Sequence, residues 1–225
     1  MPNSSKITKR LFLLALVGLM VCMLAGPASA LKPHVREGWL VGVSYGYAEG
    51  NIDWGSEDEG AYKGGAVPQI RFGRMLGKKL ALGVEYHGWM LEKGGVIDFE
   101  GEPFPLKIRS SLQSVTLSAT WYPGNPGSAL GGFYVRGGAG YGWAGFTVVK
   151  IDIDPPEHVP LEQEHGERKD ESGLGFNFEL GYEFRLSRVF ATGLGLGFDY
   201  LSINEDIYES GYYFPVTLTA TWYWD

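Results

Sequence analysis

The sequence predicts an all-β fold, an eight-stranded antiparallel up-and-down transmembrane β-barrel with short turns at one end and long loops at the other. Three observations support this prediction. Eight segments alternate large apolar residues with small or polar ones. The apolar face is too bulky for the inside of so narrow a barrel. The connections between the segments are alternately short and long. Because successive side chains of a strand point to opposite faces, each segment is a two-faced strand.

The last strand is the clearest one. Phe214–Trp224 places apolar side chains at every even position, and Pro215, Tyr223 and threonines at the odd ones. A near copy lies about a hundred residues earlier, where Val115–Tyr122 matches Val216–Tyr223. A helix would distribute these hydroxyl side chains around its whole circumference. The repeat therefore predicts two equivalent strands, and the barrel could have arisen from a duplicated four-strand unit or from convergent constraint on such strands.

Residues 1–30 are predicted to be a cleaved export signal. Lys6, Lys9 and Arg10 precede the apolar run Leu11–Leu24, and Ala28-Ser29-Ala30 is a small-residue cleavage site. The apolar run is too short for a transmembrane helix. A lipoprotein signal at Cys22 is the weaker alternative, because this cysteine lies inside the apolar run. Residues 31–37 then form an N-terminal extension, and residues 38–225 the barrel.

Composition excludes several classes of protein. Cys22 is the only cysteine, so the mature chain would have no disulfide, thiolate metal site or cysteine nucleophile. The predicted signal holds three of the 19 Lys and Arg and none of the 26 Asp and Glu, which leaves a net charge of −10 (16 minus 26). An acidic exported chain is a poor nucleic-acid binder. No stretch after the signal is apolar enough for a transmembrane helix.

The seven earlier strands alternate in the same way. Their larger, mostly apolar faces are Trp39, Val41, Val43, Tyr45 and Tyr47; Ala66, Pro68, Ile70 and Phe72; Leu80, Leu82, Val84, Tyr86 and Met90; Val115, Leu117, Ala119 and Trp121; Phe133, Val135, Ala139, Tyr141 and Trp143; Leu174, Phe176, Phe178, Leu180, Tyr182 and Phe184; Phe190, Thr192, Leu194, Leu196, Phe198 and Tyr200. The fourth strand is the least regular, because Leu106, Ile108 and Leu112 fall on its polar face. A bulge near Ser110 would explain this change of face.

The apolar face is predicted to point outward into lipid. An eight-stranded barrel has room inside only for modest side chains, so the Gly, Ser and Thr face fits there and the apolar face does not. The outward aromatic residues then form two bands, which are expected at the two membrane interfaces. The band near the short turns contains Trp39, Phe72, Trp121, Phe133, Phe184, Phe190, Trp222 and Trp224; the band near the long loops contains Tyr45, Tyr47, Tyr86, Tyr141, Trp143, Phe176, Tyr200 and Tyr212.

Over residues 38–225 the sequence resembles the small outer-membrane β-barrel family of Gram-negative bacteria, the OmpA, OmpX and OmpW-like barrels. The strongest single carrier is Phe214–Trp224, which looks like the C-terminal strand read by the outer-membrane assembly machinery. The resemblance implies a location in the outer membrane among its lipids and lipopolysaccharide, and a monomer without a cofactor. It also implies periplasmic short turns (74–79, 123–131 and 186–189) and extracellular long loops (49–65, 92–109, 150–172 and 202–211).

Seven charged residues are predicted to point into the lumen as a charge network: Arg71, Glu85, Arg136, Glu179, Glu183, Arg185 and Asp199. Buried charges must be paired or hydrated. The spacing puts Arg71, Glu85, Arg136 and Glu183 in one layer above the short turns. A structural plug of salt bridges is the favoured hypothesis, since so narrow a barrel leaves little lumen for a gate or relay.

Candidate catalytic and metal residues are weaker. His87 and Trp89 are predicted to point inward near the long-loop rim. Trp89 stands where the His-x-Ser pattern of lipid A deacylase barrels would need Ser, so no catalytic set is predicted. The loop 150–172 is acidic, but it lacks the spacing of a calcium loop, and a solvated loop is the favoured interpretation. We therefore predict no catalytic residue, metal site or cofactor.

Two function classes stay open at this stage. The first is a non-enzymatic outer-membrane barrel with a structural or cell-surface interaction role. The second is an OmpW-like conduit or binding site for small molecules, including hydrophobic ones. The inward glycines of the fifth and seventh strands favour the second class because they leave space, and the Arg and Glu layer favours the first.

Overall fold

The computed structural model describes residues 36–53, 60–99, 102–125, 128–151, 169–203 and 210–225. These residues form eight strands: β1 (Trp39–Asp53), β2 (Gly60–Met75), β3 (Leu80–Phe99), β4 (Glu102–Trp121), β5 (Phe133–Ile151), β6 (Lys169–Arg185), β7 (Phe190–Ile203) and β8 (Ser210–Trp224). Across these ranges no helix has the length and apolar character needed to cross a membrane. Residues 1–35, and with them the predicted signal, lie outside the described part, so the signal stays a prediction.

The strands form one closed barrel in chain order, and each pairs antiparallel with its neighbours. β1 and β8 close the ring along their whole length, from Trp39 opposite Trp224 to Asp53 opposite Ser210. The predicted eight-stranded up-and-down barrel is therefore confirmed. The described strands are longer than the apolar pattern alone indicated, most of all β3 and β4 with 20 residues each.

The two faces of the wall differ as predicted. Large apolar side chains are exposed on the outer face, including Leu117 at 72% and Tyr45 at 66% of their accessible surface. The inner face is buried and mostly polar, with Thr116, Thr217 and Thr221 each 1% exposed. Because one face is apolar and exposed while the other is polar and buried, the arrangement is the reverse of a water-soluble barrel.

The prediction of a bulge near Ser110 is wrong. β3 and β4 pair without interruption from Leu80 opposite Trp121 to Phe99 opposite Glu102. The pairing of β4 with β5 shifts register farther up, where Lys107 and Ile108 lie opposite Lys150 and Val148, so the extra residue is Val149 of β5. Leu112 is 1% exposed and points into the lumen. Its place on the polar face is explained by an apolar layer inside the barrel.

Candidate functional site: the lumen charge network

Eight buried side chains form a connected set across the middle and the short-turn end of the barrel. We call this set the lumen charge network. It contains Arg36, Arg71, Glu85, His87, Arg136, Glu179, Glu183 and Asp199, each at most 5% exposed. They come from the segment before β1 and from β2, β3, β5, β6 and β7, so the network spans the lumen and joins opposite walls.

Glu85 of β3 is the centre of the network. Its Oε1 lies 3.0 Å from Nη1 of Arg136 and 3.9 Å from Nε of Arg71. Arg136 also contacts Glu179, which is its direct neighbour across β5 and β6. The Tyr134 hydroxyl donates a hydrogen bond to Glu179. Arg136 therefore bridges two acids, and a guanidinium with its several donors suits this role.

Glu183 anchors the short-turn end of the network. The Tyr223 hydroxyl lies 2.9 and 3.0 Å from its two oxygens, and the Tyr122 hydroxyl lies 3.3 Å away. Arg71 approaches it from above, with Nη2 3.6 Å from Oε1. This carboxylate is buried, but donors surround it, so its charge is compensated locally.

Arg36 closes the same end from outside the strands. Its Nε lies 3.1 Å from Oε2 of Glu183, and its Nη1 donates to the carbonyl oxygen of Gly131 over 3.0 Å. The guanidinium also lies over the ring of Tyr122, 3.8 Å from the centroid. Burial alone would lower the pKa of Arg36, but Glu183, Tyr122 and Tyr223 together outweigh it and hold that pKa above its ordinary value. Arg36 is thus a charged latch on the N-terminal extension.

His87 lies between two acids. Its Nε2 is 3.0 Å from Oε2 of Glu85, and its Nδ1 is 3.0 Å from Oδ1 of Asp199. Asn177 of β6 approaches both His87 and Glu85, with Nδ2 3.2 Å from Nε2 and 3.4 Å from Oε2. Both ring nitrogens are therefore occupied, and neither faces open space.

The structure brings six of the seven predicted network residues together and leaves Arg185 apart. The Arg185 guanidinium lies over the ring of Tyr223, 4.2 Å from the centroid, and Nη2 donates to the carbonyl oxygen of Arg188 over 2.7 Å. Arg185 is thus directed to the short-turn rim. Within the described part of the chain, it forms no ion contact with a carboxylate of the network.

Sequence reasoning missed two members, Arg36 and His87. Arg36 was assigned to an extension outside the barrel, and only the observed fold brings it under Glu183. His87 was considered as a catalytic base only. One signal was available for His87, because Glu85 and His87 are two residues apart and therefore share the inner face of β3.

An apolar layer lies above the network, towards the long loops. It includes the stacked rings of Trp89 and Tyr213, whose centroids are 5.4 Å apart. The Trp89 Nε1 donates to the carbonyl oxygen of Gly64 over 3.2 Å. The other members are Ala48, Ile52, Val67, Leu91, Leu112, Ala144, Leu201 and Ile203. This layer separates the lumen charge network from the long-loop end.

A second apolar layer encloses the network at the short-turn end. Its members are Leu40, Met75, Ala81, Tyr122, Tyr134, Ala191 and Tyr223. Three of these residues are tyrosines that turn their hydroxyls towards Glu179 or Glu183. The rings therefore seal the bottom of the lumen while the hydroxyls satisfy the buried acids.

The inward glycines do not leave the free space that the conduit hypothesis expected. A Cβ at Gly138 would meet Oδ1 of Asn177 at 2.4 Å, and a Cβ at Gly195 would meet Oε1 of Glu179 at 2.5 Å. A Cβ at Gly142 would meet a methyl group of Leu201 at 2.2 Å. Larger side chains from neighbouring strands fill the space that these glycines free.

One small cavity borders the network beside Asp199. Its volume is about 10 Å³, and its walls include Leu112, Ser114 and Tyr213. That volume is close to the space of a single water molecule. Within the ranges given above, no group of three or more His, Cys, Asp and Glu residues is arranged so that it could hold a metal ion.

The chain belongs to the family defined by the outer membrane protein beta-barrel domain. The family model matches residues 14–219, which includes seven strands and most of β8. The cell outer membrane is accordingly the location of the protein, with outer-membrane lipids and lipopolysaccharide as its surroundings. No curated protein sequence matches the chain.

Solved structures of bacterial surface proteins share the fold. Neisserial surface protein A is 12% identical and has a TM-score of 0.52, over 84% of this chain and 99% of that one. Ail, the attachment invasion locus protein of Yersinia pestis, solved with the heparin analogue sucrose octasulfate, is 11% identical with a TM-score of 0.50, over 83% and 99% of the two chains. At these identities the likeness is one of fold.

Proposed function

We propose that the protein is a non-enzymatic, monomeric outer-membrane barrel that is closed to ions and small molecules and acts through its extracellular surface. The observation that carries the proposal is the filled lumen. The lumen charge network lies between two apolar layers, and the inward glycines Gly138, Gly142 and Gly195 are covered by neighbouring side chains. A conduit would need a continuous path through all three levels.

The extracellular surface is supported by the length of β3 and β4. Each has 20 residues, which is about 66 Å of strand at roughly 3.3 Å per residue. A strand that crosses the bilayer needs only about 9–11 residues. Since the backbone pairing continues to Phe99 and Glu102, this hairpin extends well beyond the membrane as an ordered ribbon.

The non-enzymatic role is supported by the state of His87. A general base must have a free ring nitrogen within reach of a substrate proton. Both nitrogens of His87 face carboxylates inside the lumen. The upper apolar layer lies between these groups and the long-loop end. His87 thus lacks the access to a substrate that catalysis requires.

The first experiment measures conductance in planar lipid bilayers. The purified full-length protein is expected to give no steady ion current, because the network and both apolar layers block the path. A large and steady current would contradict the closed lumen and would favour the conduit for small molecules.

The second experiment tests the surface role. Replacing residues 93–108 with Asn-Gly joins Glu92 to Arg109, which are opposite each other in the pairing of β3 and β4. Cells that display this shortened variant should adhere to matrix-coated surfaces and to each other less than cells with the full hairpin. The shift in gel migration on boiling serves as the control for barrel formation. Equal adhesion by correctly formed barrels would contradict the surface role.

We further propose that β8 carries the signal for the outer-membrane assembly machinery. β8 ends in Trp222 and Trp224, and its near copy in β4 contains Trp121, so the chain offers a matched control. Changing Trp222, the counterpart of Trp121, to Ala should lower the fraction of protein recovered in the outer membrane. Trp121→Ala should have a smaller effect, because Trp121 shares the aromatic band but lies on an internal strand. Equal losses in both variants would contradict a signal specific to β8.

A further inference from the structure

We infer that Glu85, His87 and Asp199 form a proton-binding site in the barrel lumen, and that the bound proton makes His87 the fourth cation of the lumen charge network. Three independent features support this inference: the contacts of the imidazole ring, the charge balance of the network, and the groups that surround the ring.

The ring contacts favour a proton on each nitrogen. Nε2 faces Oε2 of Glu85 and Nδ1 faces Oδ1 of Asp199, each at 3.0 Å. A neutral imidazole has one N–H and one lone pair, so one of its nitrogens would turn a lone pair towards a carboxylate oxygen. The approach of Nδ1 to Oδ1 is oblique, so that contact is ionic rather than a well-aligned hydrogen bond. An imidazolium satisfies both contacts.

The charge balance points to the same state. The network contains four acids, namely Glu85, Glu179, Glu183 and Asp199, and three arginines, namely Arg36, Arg71 and Arg136. Arg185 does not compensate the remaining acid, because it is directed to the short-turn rim. A protonated His87 makes the set of eight neutral. An unpaired charge at this depth would be strongly unfavourable.

The other groups around His87 do not supply a cation in its place. Gln69 of β2 and Ser114 of β4 are its neighbours across the two strand pairs, and both are uncharged. Tyr213 of β8 faces Asp199. Arg136 of β5 binds Oε1 of Glu85, whereas His87 binds Oε2. Arg136 thus uses the other oxygen of the acid that it shares with His87.

Asn177 of β6 fits a protonated ring once its side-chain amide is turned. Its Nδ2 lies 3.2 Å from Nε2, while its Oδ1 has no hydrogen-bond partner. A 180° turn of the amide exchanges the two ends and presents Oδ1 to the Nε2–H. The imidazolium would then have a second acceptor and the orphaned oxygen would gain a donor, while the long contact of 3.4 Å between Nδ2 and Oε2 of Glu85 would be lost.

The protonation state can be read directly by NMR. The chain has four histidines, His34, His87, His158 and His165. Changing the other three to Gln leaves His87 as the single histidine of the full-length protein. With ¹⁵N-labelled histidine in detergent micelles at pH 7.5, where a free imidazole is mostly neutral, we expect two ring N–H signals. A single N–H signal would overturn the inference.

A variant of Asp199 provides the matched test. Asp199→Asn removes one acid from the network without changing the shape of the side chain, so three acids then face three arginines. In the single-histidine background we expect His87 to become neutral and one ring N–H signal to disappear. Glu92→Gln removes an acid on the outer face and should leave both signals in place. Two signals in the Asp199→Asn variant would overturn the charge-balance argument.

Stability gives a second readout that does not depend on NMR. His87→Gln should lower the temperature at which the compact band disappears in detergent gels. The double variant with Asp199→Asn should regain most of that loss, and the double variant with Glu92→Gln should not. Equal behaviour of the two double variants would overturn the inference, and a His87→Gln protein that fails to fold leaves the comparison of the double variants intact.

This inference does not rest on the closed-lumen proposal. Conductance reads the flow of ions through the whole barrel, whereas the NMR signals read one proton on one ring. A conducting barrel with a protonated His87 would contradict the proposed function only, and a closed barrel with a neutral His87 would contradict the proton site only.

Discussion

The lumen is filled in two different ways, and the difference decides how each part responds to change. In the upper apolar layer, side chains such as Trp89 and Leu112 pack against many neighbours, and no single contact is obligatory. In the lumen charge network, each acid depends on particular donors. Glu85, for example, contacts three side chains: Arg71, Arg136 and His87. Losing an apolar residue leaves a cavity, whereas losing a charged one leaves its partner buried and uncompensated.

The largest effect is expected for Arg136→Ala. This change removes the cation that bridges Glu85 and Glu179, and a broken buried pair costs roughly 4 kcal/mol. Unfolding by urea in lipid vesicles measures the loss.

Arg185→Ala is the matched control for Arg136→Ala. Arg185 points inward from β6 but lies at the short-turn rim outside the network, so its loss should lower the free energy of unfolding by much less. Equal losses would show that the ion contacts of Arg136 add nothing to the free energy of unfolding beyond what Arg185 contributes.

The second effect is expected for Leu112→Ala in the apolar layer. Leu112 is 1% exposed, and a buried Leu→Ala change costs about 3 kcal/mol because a cavity remains. The same unfolding measurement applies. Leu117→Ala on the same strand is the control, because Leu117 faces outward and lipid chains can close over the gap. A cost for Leu117→Ala as large as that for Leu112→Ala would contradict a packed upper lumen.

The third effect is smaller and concerns the latch. Arg36→Ala removes an ion contact from Glu183, but the Tyr122 and Tyr223 hydroxyls and Arg71 remain. We expect a loss of about 2 kcal/mol, the value of a hydrogen bond to a charged group. Glu37→Ala, at the exposed neighbouring position, should have almost no effect. No change for Arg36→Ala would mean that the latch does not hold Glu183.

The smallest effect is expected for a charge pair on the outer face. Glu92 and Arg109 are paired in the structure, and their side chains are 39% and 50% exposed. Arg109→Gln should change the free energy of unfolding by less than about 1 kcal/mol, because exposed ion pairs are screened by solvent. High salt should reduce the difference further. A loss as large as that of Arg136→Ala would remove the distinction between buried and exposed charges.

The wall of the barrel could be predicted from the sequence because its pattern is local. Alternation along a strand fixes which side chains point inward, and this holds for Arg71, Glu85 and Glu183 alike. Contacts between direct neighbours also follow from hairpin register. Arg71 lies opposite Glu85, and Arg136 lies opposite Glu179. These two pairs were within reach of sequence reasoning.

The contacts across the lumen could not be predicted in the same way. Arg136 reaches Glu85 over the intervening β4, and Arg71 reaches Glu183 from a distant strand. Such contacts depend on how strand tilt and stagger set relative heights in the closed barrel. Leu112 was misjudged for a similar reason, since a leucine on a polar face is explained only by the apolar layer that it joins inside.

The closure of the barrel by β1 and β8 has a consequence for how the molecule forms. These are the first and the last of the described strands, yet they pair along their whole length. Pairing between ends so far apart in sequence carries a large loop-closure entropy and slows folding. The ring therefore cannot be completed before the last strand is available. Glu183 meets Arg36 beside the closing pair, so the N-terminal latch and the final seam are expected to form in the same late step.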